Sequence, residues 1–177
     1  RRHTRLQGDW SSDVCSSDLR RQPLGTTSSV LIKEPSLGVA TDGNDILIGT
    51  TGDDRMCGVP SGSLLRGRGS LDVLTGKAGN DLFVLGDSFG KYYDDAMPGS
   101  GVSDMTLITD FSAGDKIQLA GRASDYRLVT ALYGGILGQR IEALSLVSGT
   151  SPEAIGFVQG ATAGSLNLAT PTQFLYI

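Results

Sequence analysis

The stretch GNDILIGTTGDDRMCG, residues 43–58, places an aspartate two residues before an apolar residue and a glycine two residues after it, and repeats this nine residues later. Three positions recur with this period and form an acidic, an apolar and a glycine track: Asp45, Asp54, Ser63, Asp72 and Asp81; Leu47, Met56, Leu65, Leu74 and Phe83; Gly49, Gly58, Gly67 and Gly76. Three tracks in phase over five units indicate a structural repeat with its acids at one fixed point.

Composition favours an all-β protein. The chain has 177 residues, of which 25 are glycine and 39% are apolar, enough for one ordinary domain with a core. No segment approaches the ~18 consecutive apolar residues that a membrane helix needs, so no membrane span is predicted. Glycine and proline recur at short intervals and no long stretch has a helical period, which predicts short strands joined by tight turns.

The first 22 residues, RRHTRLQGDWSSDVCSSDLRRQ, differ in character from the rest and contain the only His and the only Trp. Within them, DWSSDVCSSDL resembles translated sequencing-adapter read-through. We interpret 1–22 as a non-native or disordered leader, and no apolar run follows its arginines as one would in a signal peptide. Without it the chain carries 10 Lys and Arg against 16 Asp and Glu, a balance that argues against nucleic acid as a partner.

The tracks resemble the nonapeptide GGxGxDxUx of repeats-in-toxin (RTX) proteins, a β-helix repeat that binds calcium. GKAGNDLFV, residues 76–84, departs from it only at Lys77, and GTTGDDRMC, residues 49–57, keeps Gly49, Gly52, Asp54 and Met56 in the required places. GVPSGSLLR, residues 58–66, and GRGSLDVLT, residues 67–75, are degraded, and the former has lost its Asp. The resemblance implies a short parallel β-roll in which each unit forms a turn and a strand, two units complete a coil, and calcium lies between turns stacked on one side.

In such a roll, turns on the same side are 18 residues apart. Asp54 and Asp72 then share a side and are expected to form the best site. Asp45 and Asp81 share the other side with Ser63, which offers only a neutral oxygen. Calcium takes about six to eight oxygens at roughly 2.3–2.6 Å, from carboxylates and from carbonyls of a backbone that glycine leaves free to bend. The predicted metal ligands are Asp45, Asp54, Asp72, Asp81 and Ser63, with Gly43, Gly52 and Gly79.

Calcium binding and folding are expected to be one event. Without the ion the stacked carboxylates repel one another, and so thin a roll buries too little apolar surface to offset backbone entropy. Extracellular modules of this kind bind calcium at about 10⁻⁴–10⁻³ M. Asp42 and Asp53 lie off the ligand position, and for them a solvated carboxylate is expected. A metal-free solenoid or a plain Gly/Asp-rich loop is the alternative, but a metal-free solenoid has no need of aspartates in phase.

Four segments are predicted: the leader, a lead-in at 23–40, the RTX roll at 41–86 and a C-terminal β cap at 87–177. ITDFSAGDKIQLAG, residues 108–121, resembles the strand-turn-strand segment that caps RTX tracts in secreted bacterial proteins, especially cyanobacterial ones. In that turn Asp110 and Asp115 are expected to form hydrogen bonds rather than to bind an ion. Further strands, packed as an antiparallel sheet on the end of the roll, are predicted around YRLVTALYG, QRIEALSLVSG, EAIGFVQG, SLNLA and FLYI.

Two catalytic or metal chemistries are set aside. GDSFG, residues 86–90, fits the G-x-S-x-G nucleophile pattern, but the would-be nucleophile Ser88 lacks a base because the sole histidine, His3, lies in the leader. We interpret GDSFG as a turn. A zinc site fails for want of His and Cys ligands.

The resemblance implies a non-enzymatic, calcium-stabilised module at the C-terminal end of a larger secreted, extracellular or cell-surface protein. Many RTX proteins are exported by type I secretion machinery that reads an uncleaved C-terminal signal, and the ending FLYI is compatible with such a signal or with a final strand. The alternative is the tail of a secreted protease or lipase whose catalytic domain lies upstream, where HExxH or a complete Ser/His/Asp set would reveal it. YYDD, residues 92–95, could meet a protein or glycan partner that the sequence does not identify.

Overall fold

The computed structural model describes residues 40–95, 102–144 and 151–177, so the predicted leader and nearly all of the lead-in lie outside the described residues. Within these ranges the chain forms strands, turns and one short 3₁₀ helix, and no helix there is long and apolar enough to cross a membrane. The strands are β1 (Ile46–Ile48), β2 (Arg55–Met56), β3 (Leu71–Thr75), β4 (Leu82–Val84), β5 (Gly86–Asp87), β6 (Gly90–Lys91), β7 (Met105–Ile108), β8 (Lys116–Leu119), β9 (Tyr126–Tyr133), β10 (Ile136–Ala143), β11 (Glu153–Gln159) and β12 (Phe174–Tyr176), and the 3₁₀ helix is Ala123–Asp125.

Two main sheets form the fold. Sheet A has the order β1-β3-β7-β11-β10-β9 and sheet B the order β12-β8-β4-β2. From β1 to β4 the chain alternates between the two sheets, and the neighbouring strands β1, β3 and β7 of sheet A and β2, β4 and β8 of sheet B pair in parallel. The predicted all-β fold, a short parallel roll followed by antiparallel strands, is confirmed.

The core of the roll is built from the apolar track. Leu47, Met56, Leu74 and Phe83 are at most 5% exposed, as expected when alternate side chains of a strand face the partner sheet. Leu65, the fifth member of the track, is 49% exposed and lies between strands. The apolar track therefore contributes to the core at four of its five positions, and Leu65 does not.

The register of the roll differs from the prediction. β1 pairs with β3 so that Ile46 lies opposite Val73, and β2 pairs with β4 so that Arg55 lies opposite Leu82. Hydrogen bonds between the corresponding turns span 27 residues. The stacked turns are therefore three units apart rather than two, because the degraded unit 58–66 does not contribute a strand.

This degraded unit instead belongs to a loop, residues 57–70, between β2 and β3. The loop leaves the roll at Pro60, whose ring has no N–H to give to a strand ladder. Near its end, Arg66 fixes the loop to β5 and β6. The side-chain Nη2 of Arg66 donates to Asp87 Oδ1 and to the Gly90 carbonyl oxygen, each at 2.6 Å. Arg66 and Gly67 adopt positive φ angles of 53° and 81°, which turn the chain back toward β3.

The predicted strand, turn and strand are present as β7, a turn and β8, but β7 ends at Ile108, where the predicted segment begins. β9, β10 and β11 form antiparallel neighbours. The antiparallel strands do not form a separate sheet on the end of the roll, because β11 pairs in parallel with β7 and makes them part of sheet A. β12 is also parallel, to β8 of sheet B. SLNLA, residues 165–169, forms turns rather than the predicted strand, and the end of the predicted QRIEALSLVSG strand lies outside the described residues. GDSFG forms the β5–β6 hairpin, as interpreted from the sequence.

Candidate metal centre in the stacked turns

Three aspartates form a ladder along the sheet B side of the roll. Oδ1 of Asp81 accepts the backbone N–H of Asp54 at 2.9 Å, and Oδ1 of Asp115 accepts the backbone N–H of Asp81 at 2.9 Å. Each carboxylate thus supports the turn stacked before it. The ladder brings three negative side chains into line at the point where each turn enters its strand.

The second carboxylate oxygens of this ladder differ in their partners. Oδ2 of Asp54 accepts the backbone N–H of Thr50 at 2.6 Å and its hydroxyl at 3.0 Å. Oδ2 of Asp115 accepts the backbone N–H of Ser112 at 2.7 Å and its hydroxyl at 3.1 Å. Oδ2 of Asp81 is buried and has no hydrogen-bond partner among the described residues. Lys77 stands at the position of Thr50, and its backbone N–H donates instead to Asp110.

Glycine keeps the space between the turns open for oxygen atoms. A Cβ added at Gly49 would lie 2.6 Å from the Gly76 carbonyl oxygen and 2.7 Å from Oδ2 of Asp54, closer than real Cβ contacts come. A Cβ added at Gly76 would collide with Oδ2 of Asp81. Carbonyl and carboxylate oxygens of the turns 49–54 and 76–81 therefore converge on the glycine positions of the repeat.

The surroundings of Asp81 disfavour the ionised form of its carboxyl group. Burial raises the pKa of Asp81 above its usual range, and the neighbouring charges of Asp115, Asp54 and Asp110 act in the same direction, against the lowering effect of the Asp54 N–H. A cluster of carboxylate and carbonyl oxygens with one buried oxygen left unpaired is the donor set that calcium takes. The residues present therefore fit calcium, and Asp54, Asp81 and the turn carbonyls are the groups that would hold it.

The sheet A side has a shorter ladder, in which Oδ1 of Asp72 accepts the backbone N–H of Asp45 at 2.9 Å. Oδ2 of Asp72 accepts the hydroxyl of Tyr93 at 2.5 Å, and Asp72 is fully buried. Burial raises the pKa of Asp72 to about 7, although the Tyr93 hydrogen bond acts to lower it. Both oxygens of Asp72 thus have protein donors, in contrast to Asp81.

The predicted grouping of the site residues is wrong. Asp54 lies on sheet B and Asp72 on sheet A, so they do not share a side. The structure instead brings Asp54 together with Asp81, and Asp45 together with Asp72. The physical reason is the loop 57–70, which shifts every later turn by one unit.

Ser63 lies in that loop and does not align with Asp45 or Asp81. Its hydroxyl donates to Asp42 Oδ1, and it accepts the backbone N–H groups of Leu65 and Arg66 at 3.1 Å. Asp42 is exposed, as expected.

The three predicted glycine ligands lie in the stacked turns. The N–H groups of Gly43 and Gly52 donate to the hydroxyls of Thr41 and Thr50, each at 3.1 Å. A Cβ at Gly79 would lie 2.5 Å from the Gly52 carbonyl oxygen, so these two turns are in close contact. Asp53, exposed as expected, accepts the backbone N–H of Asn80 at 2.8 Å.

Two features of the site escaped the sequence argument. A threonine four residues before an aspartate, as in Thr41 with Asp45 and Thr50 with Asp54, closes the turn through its hydroxyl. This spacing is visible in the sequence and could have been found. The Tyr93 contact to Asp72 comes from a residue beyond the roll, and no local pattern indicates it.

Asp110 and Asp115 do form hydrogen bonds, as expected.

Residues 39–58 and 64–88 match the family model described as RTX calcium-binding nonapeptide repeat (4 copies). The roll is therefore built from RTX repeats, which are calcium-binding, and the gap between the matched ranges falls within the loop 57–70. Among solved structures the chain is similar to the AlgE6R3 subunit of the Azotobacter vinelandii mannuronan C5-epimerase, solved in solution, with 16% identity and a TM-score of 0.36 over 87% of this chain and 86% of that one. A comparison with curated protein sequences found no match.

Proposed function

We propose that this chain is a calcium-stabilised β-roll module of a secreted or cell-surface bacterial protein, with no catalytic activity of its own. The observation that carries the proposal is the buried Oδ2 atom of Asp81, which has no hydrogen-bond partner among the described residues and lies in the stacked RTX turns. A bound calcium ion would give this oxygen the positive partner that it lacks among the described residues. The principal ion belongs with Asp54 and Asp81, and Asp45 with Asp72 offers a weaker position.

The chain's own residues then act as a calcium-dependent clamp. Asp81 and Asp115 hold the backbone N–H groups of the preceding turns, and the glycines admit the carbonyl oxygens between them. Without a cation, the like charges of Asp54, Asp81, Asp110 and Asp115 oppose this stacking. Such a module stays loose where calcium is scarce and becomes rigid outside the cell, which suits export in an unfolded form by type I secretion machinery.

The test is a calcium titration of the full chain, stripped of metal, followed by circular dichroism, with magnesium as the ion control. We expect calcium, and not magnesium, to increase the β-sheet signal. Asp81→Asn keeps the size of the side chain and removes its charge. We expect it to raise the calcium concentration at the midpoint of the transition by about tenfold or more. Asp42→Asn removes the same charge from an exposed residue of the first turn, which accepts the Ser63 hydroxyl, and serves as the matched control.

Two negative results of this titration would contradict different parts of the proposal. A spectrum and a melting temperature that do not respond to calcium in the wild type would overturn the proposed function. A clear response with equal midpoints for Asp81→Asn and Asp42→Asn would leave calcium binding in place and overturn the assignment of the ion to Asp81.

A further inference from the structure

Three acidic side chains lie close together near the ends of two central strands of sheet A, outside the repeat tract. Asp95 lies in the segment after β6, Asp104 immediately precedes β7, and Glu153 is the first residue of β11. β7 and β11 are parallel neighbours, so Asp104 and Glu153 lie at the same ends of adjacent strands. One carboxylate oxygen of each residue lies within 4.8 Å of one from each of the other two.

Two members of the cluster, Asp104 and Glu153, are buried, and Asp95 is half-buried. Glu153 is 4% exposed and Asp104 is 1% exposed. Glu153 Oε1 has no hydrogen-bond partner in the part of the chain that the structure describes. Asp104 accepts long hydrogen bonds from the Gly69 N–H at 3.3 Å and the Ser103 hydroxyl at 3.2 Å. A buried carboxylate oxygen without a donor is costly, and it calls for a positive partner.

A second buried glutamate, Glu142, has its negative charge balanced by arginine side chains. Glu142, 3% exposed, accepts Arg127 Nε at 2.5 Å and Arg140 Nε at 2.7 Å. Around Glu153, burial raises its pKa to about 7, and the like charges of Asp95, Asp104 and Asp94 and a side-chain hydrogen bond with Asp95 act in the same direction. The repulsion within the cluster therefore has the sign that a bound cation reverses.

We propose that Asp95, Asp104 and Glu153 form a second cation site, located in the cap, that takes a divalent ion of the calcium class. All its protein ligands are carboxylates, which suit hard cations and exclude zinc-type sites built from His and Cys. Two oxygens bound to one calcium ion at roughly 2.4 Å can be at most about 4.8 Å apart. The three carboxylate oxygens lie within this limit of one another. The ion ties the segment after β6 to the ends of β7 and β11, and this site is independent of the ion proposed for the roll.

The direct test is anomalous diffraction from crystals of the full wild-type chain grown with saturating calcium. We expect a peak between the three carboxylates, with calcium–oxygen distances of about 2.3–2.6 Å. Peaks in the stacked turns with none in the cap would overturn this inference and leave the proposed function intact. A peak in the cap with none in the turns would support this inference and count against the ion assigned to the roll.

Calorimetric titration with calcium tests the same site in solution. Glu153→Gln is expected to lower the number of bound ions by one and to retain the calcium-induced change in circular dichroism of the roll. Asp125→Asn removes a cap carboxylate that pairs with Arg122 and should leave the number unchanged. An unchanged number in a folded Glu153→Gln variant would overturn the inference, and if that variant does not fold, the wild-type diffraction decides.

Discussion

Two aspartates at the same repeat position, Asp72 and Asp81, show how one residue type acquires two roles. Each uses Oδ1 to hold the turn stacked before it. Oδ2 of Asp72 accepts the Tyr93 hydroxyl, whereas Oδ2 of Asp81 has no partner among the described residues. Tyr93, the residue that distinguishes them, comes from another part of the chain, so the nonapeptide alone does not show whether the protein itself satisfies the second carboxylate oxygen.

Replacing Tyr93 by Phe removes the hydroxyl that donates to Asp72 and leaves that oxygen without this donor. We expect the free energy of unfolding to fall by about 1–3 kcal/mol. The folded pKa of Asp72, about 7, lies above its unfolded value, so the carboxyl group contributes stability below about pH 4 that is lost as the pH rises through 7. The Tyr93 hydroxyl stabilises the ionised form, and the loss should therefore be larger at pH 8 than at pH 5 in urea unfolding.

Tyr92→Phe is the matched control for this variant. The Tyr92 hydroxyl donates to Asp87 Oδ2 at 3.0 Å, but Asp87 also accepts Arg66 Nη2 and the backbone N–H groups of Phe89 and Gly90. We expect a smaller loss of stability with less dependence on pH. Equal losses in the two variants at both pH values would show that Asp72 does not depend on Tyr93.

At the scale of the elements, the stacking of turns depends on glycine where two backbones approach. Gly79 has φ 130°, and a Cβ there would lie 2.5 Å from the Gly52 carbonyl oxygen. Because the obstacle is backbone, it cannot rotate away as a side chain would. The turns 49–54 and 76–81 can therefore stack only with glycine at this position.

Gly79→Ala should lower the calcium-bound melting temperature and the free energy of unfolding, by about 2 kcal/mol or more, since it adds backbone strain to a collision. Gly62→Ala is the control, because Gly62 also has a positive φ, 76°, but a Cβ there would have nothing within 4 Å. The excess loss in Gly79→Ala over Gly62→Ala measures the close approach. A similar loss in both, by calorimetric melting, would mean that the turns can separate at little cost.

The strands of the roll were predictable because their signal is local. An apolar residue two positions after each aspartate places Leu47, Met56, Leu74 and Phe83 in the core. The pairing of turns was not predictable in the same way, since it depends on whether the unit 58–66 folds as a coil or as a loop. The sequence shows that this unit has lost its Asp and contains Pro60. Both features disfavour a regular coil, but they do not determine which later turn pairs with which earlier one.

At the scale of the whole molecule, several buried carboxylates make stability depend jointly on pH and calcium. Burial raises the pKa of Asp72 and of Glu153 to about 7 and raises the pKa of Asp81 and Asp104 as well. Each of these groups binds its proton more tightly in the folded state than in the unfolded state. Their contribution to stability is therefore lost as the pH rises through the folded pKa.

In the presence of a chelator, the free energy of unfolding should therefore fall between pH 5 and pH 8. With millimolar calcium the trend should flatten or reverse, because the ion binds the ionised carboxylates and competes with protons. Urea unfolding at each pH, with and without calcium, measures both slopes. A stability that rises toward pH 8 in chelator would contradict the role assigned to these buried acids.

The joining of the antiparallel strands to sheet A, through the pairing of β11 with β7, could not be predicted from the sequence. Sequence pattern marks β9, β10 and β11 as strands, but parallel pairing of β11 with β7 brings together residues such as Phe157 and Leu107 that are far apart in the chain. The predicted segment boundaries at 41–86 and 87–177 stay predictions, and the continuity of sheet A shows that strands from both segments share one sheet.

The loop 57–70 has a practical consequence for protein engineering. It departs after β2 and rejoins at β3 while the aspartate ladders on both sides of it remain hydrogen-bonded. Leu64 there is 93% exposed, and the space around Gly62 is open. A guest peptide inserted at Gly62 would therefore be displayed on a scaffold whose assembly can be switched by adding or chelating a metal ion.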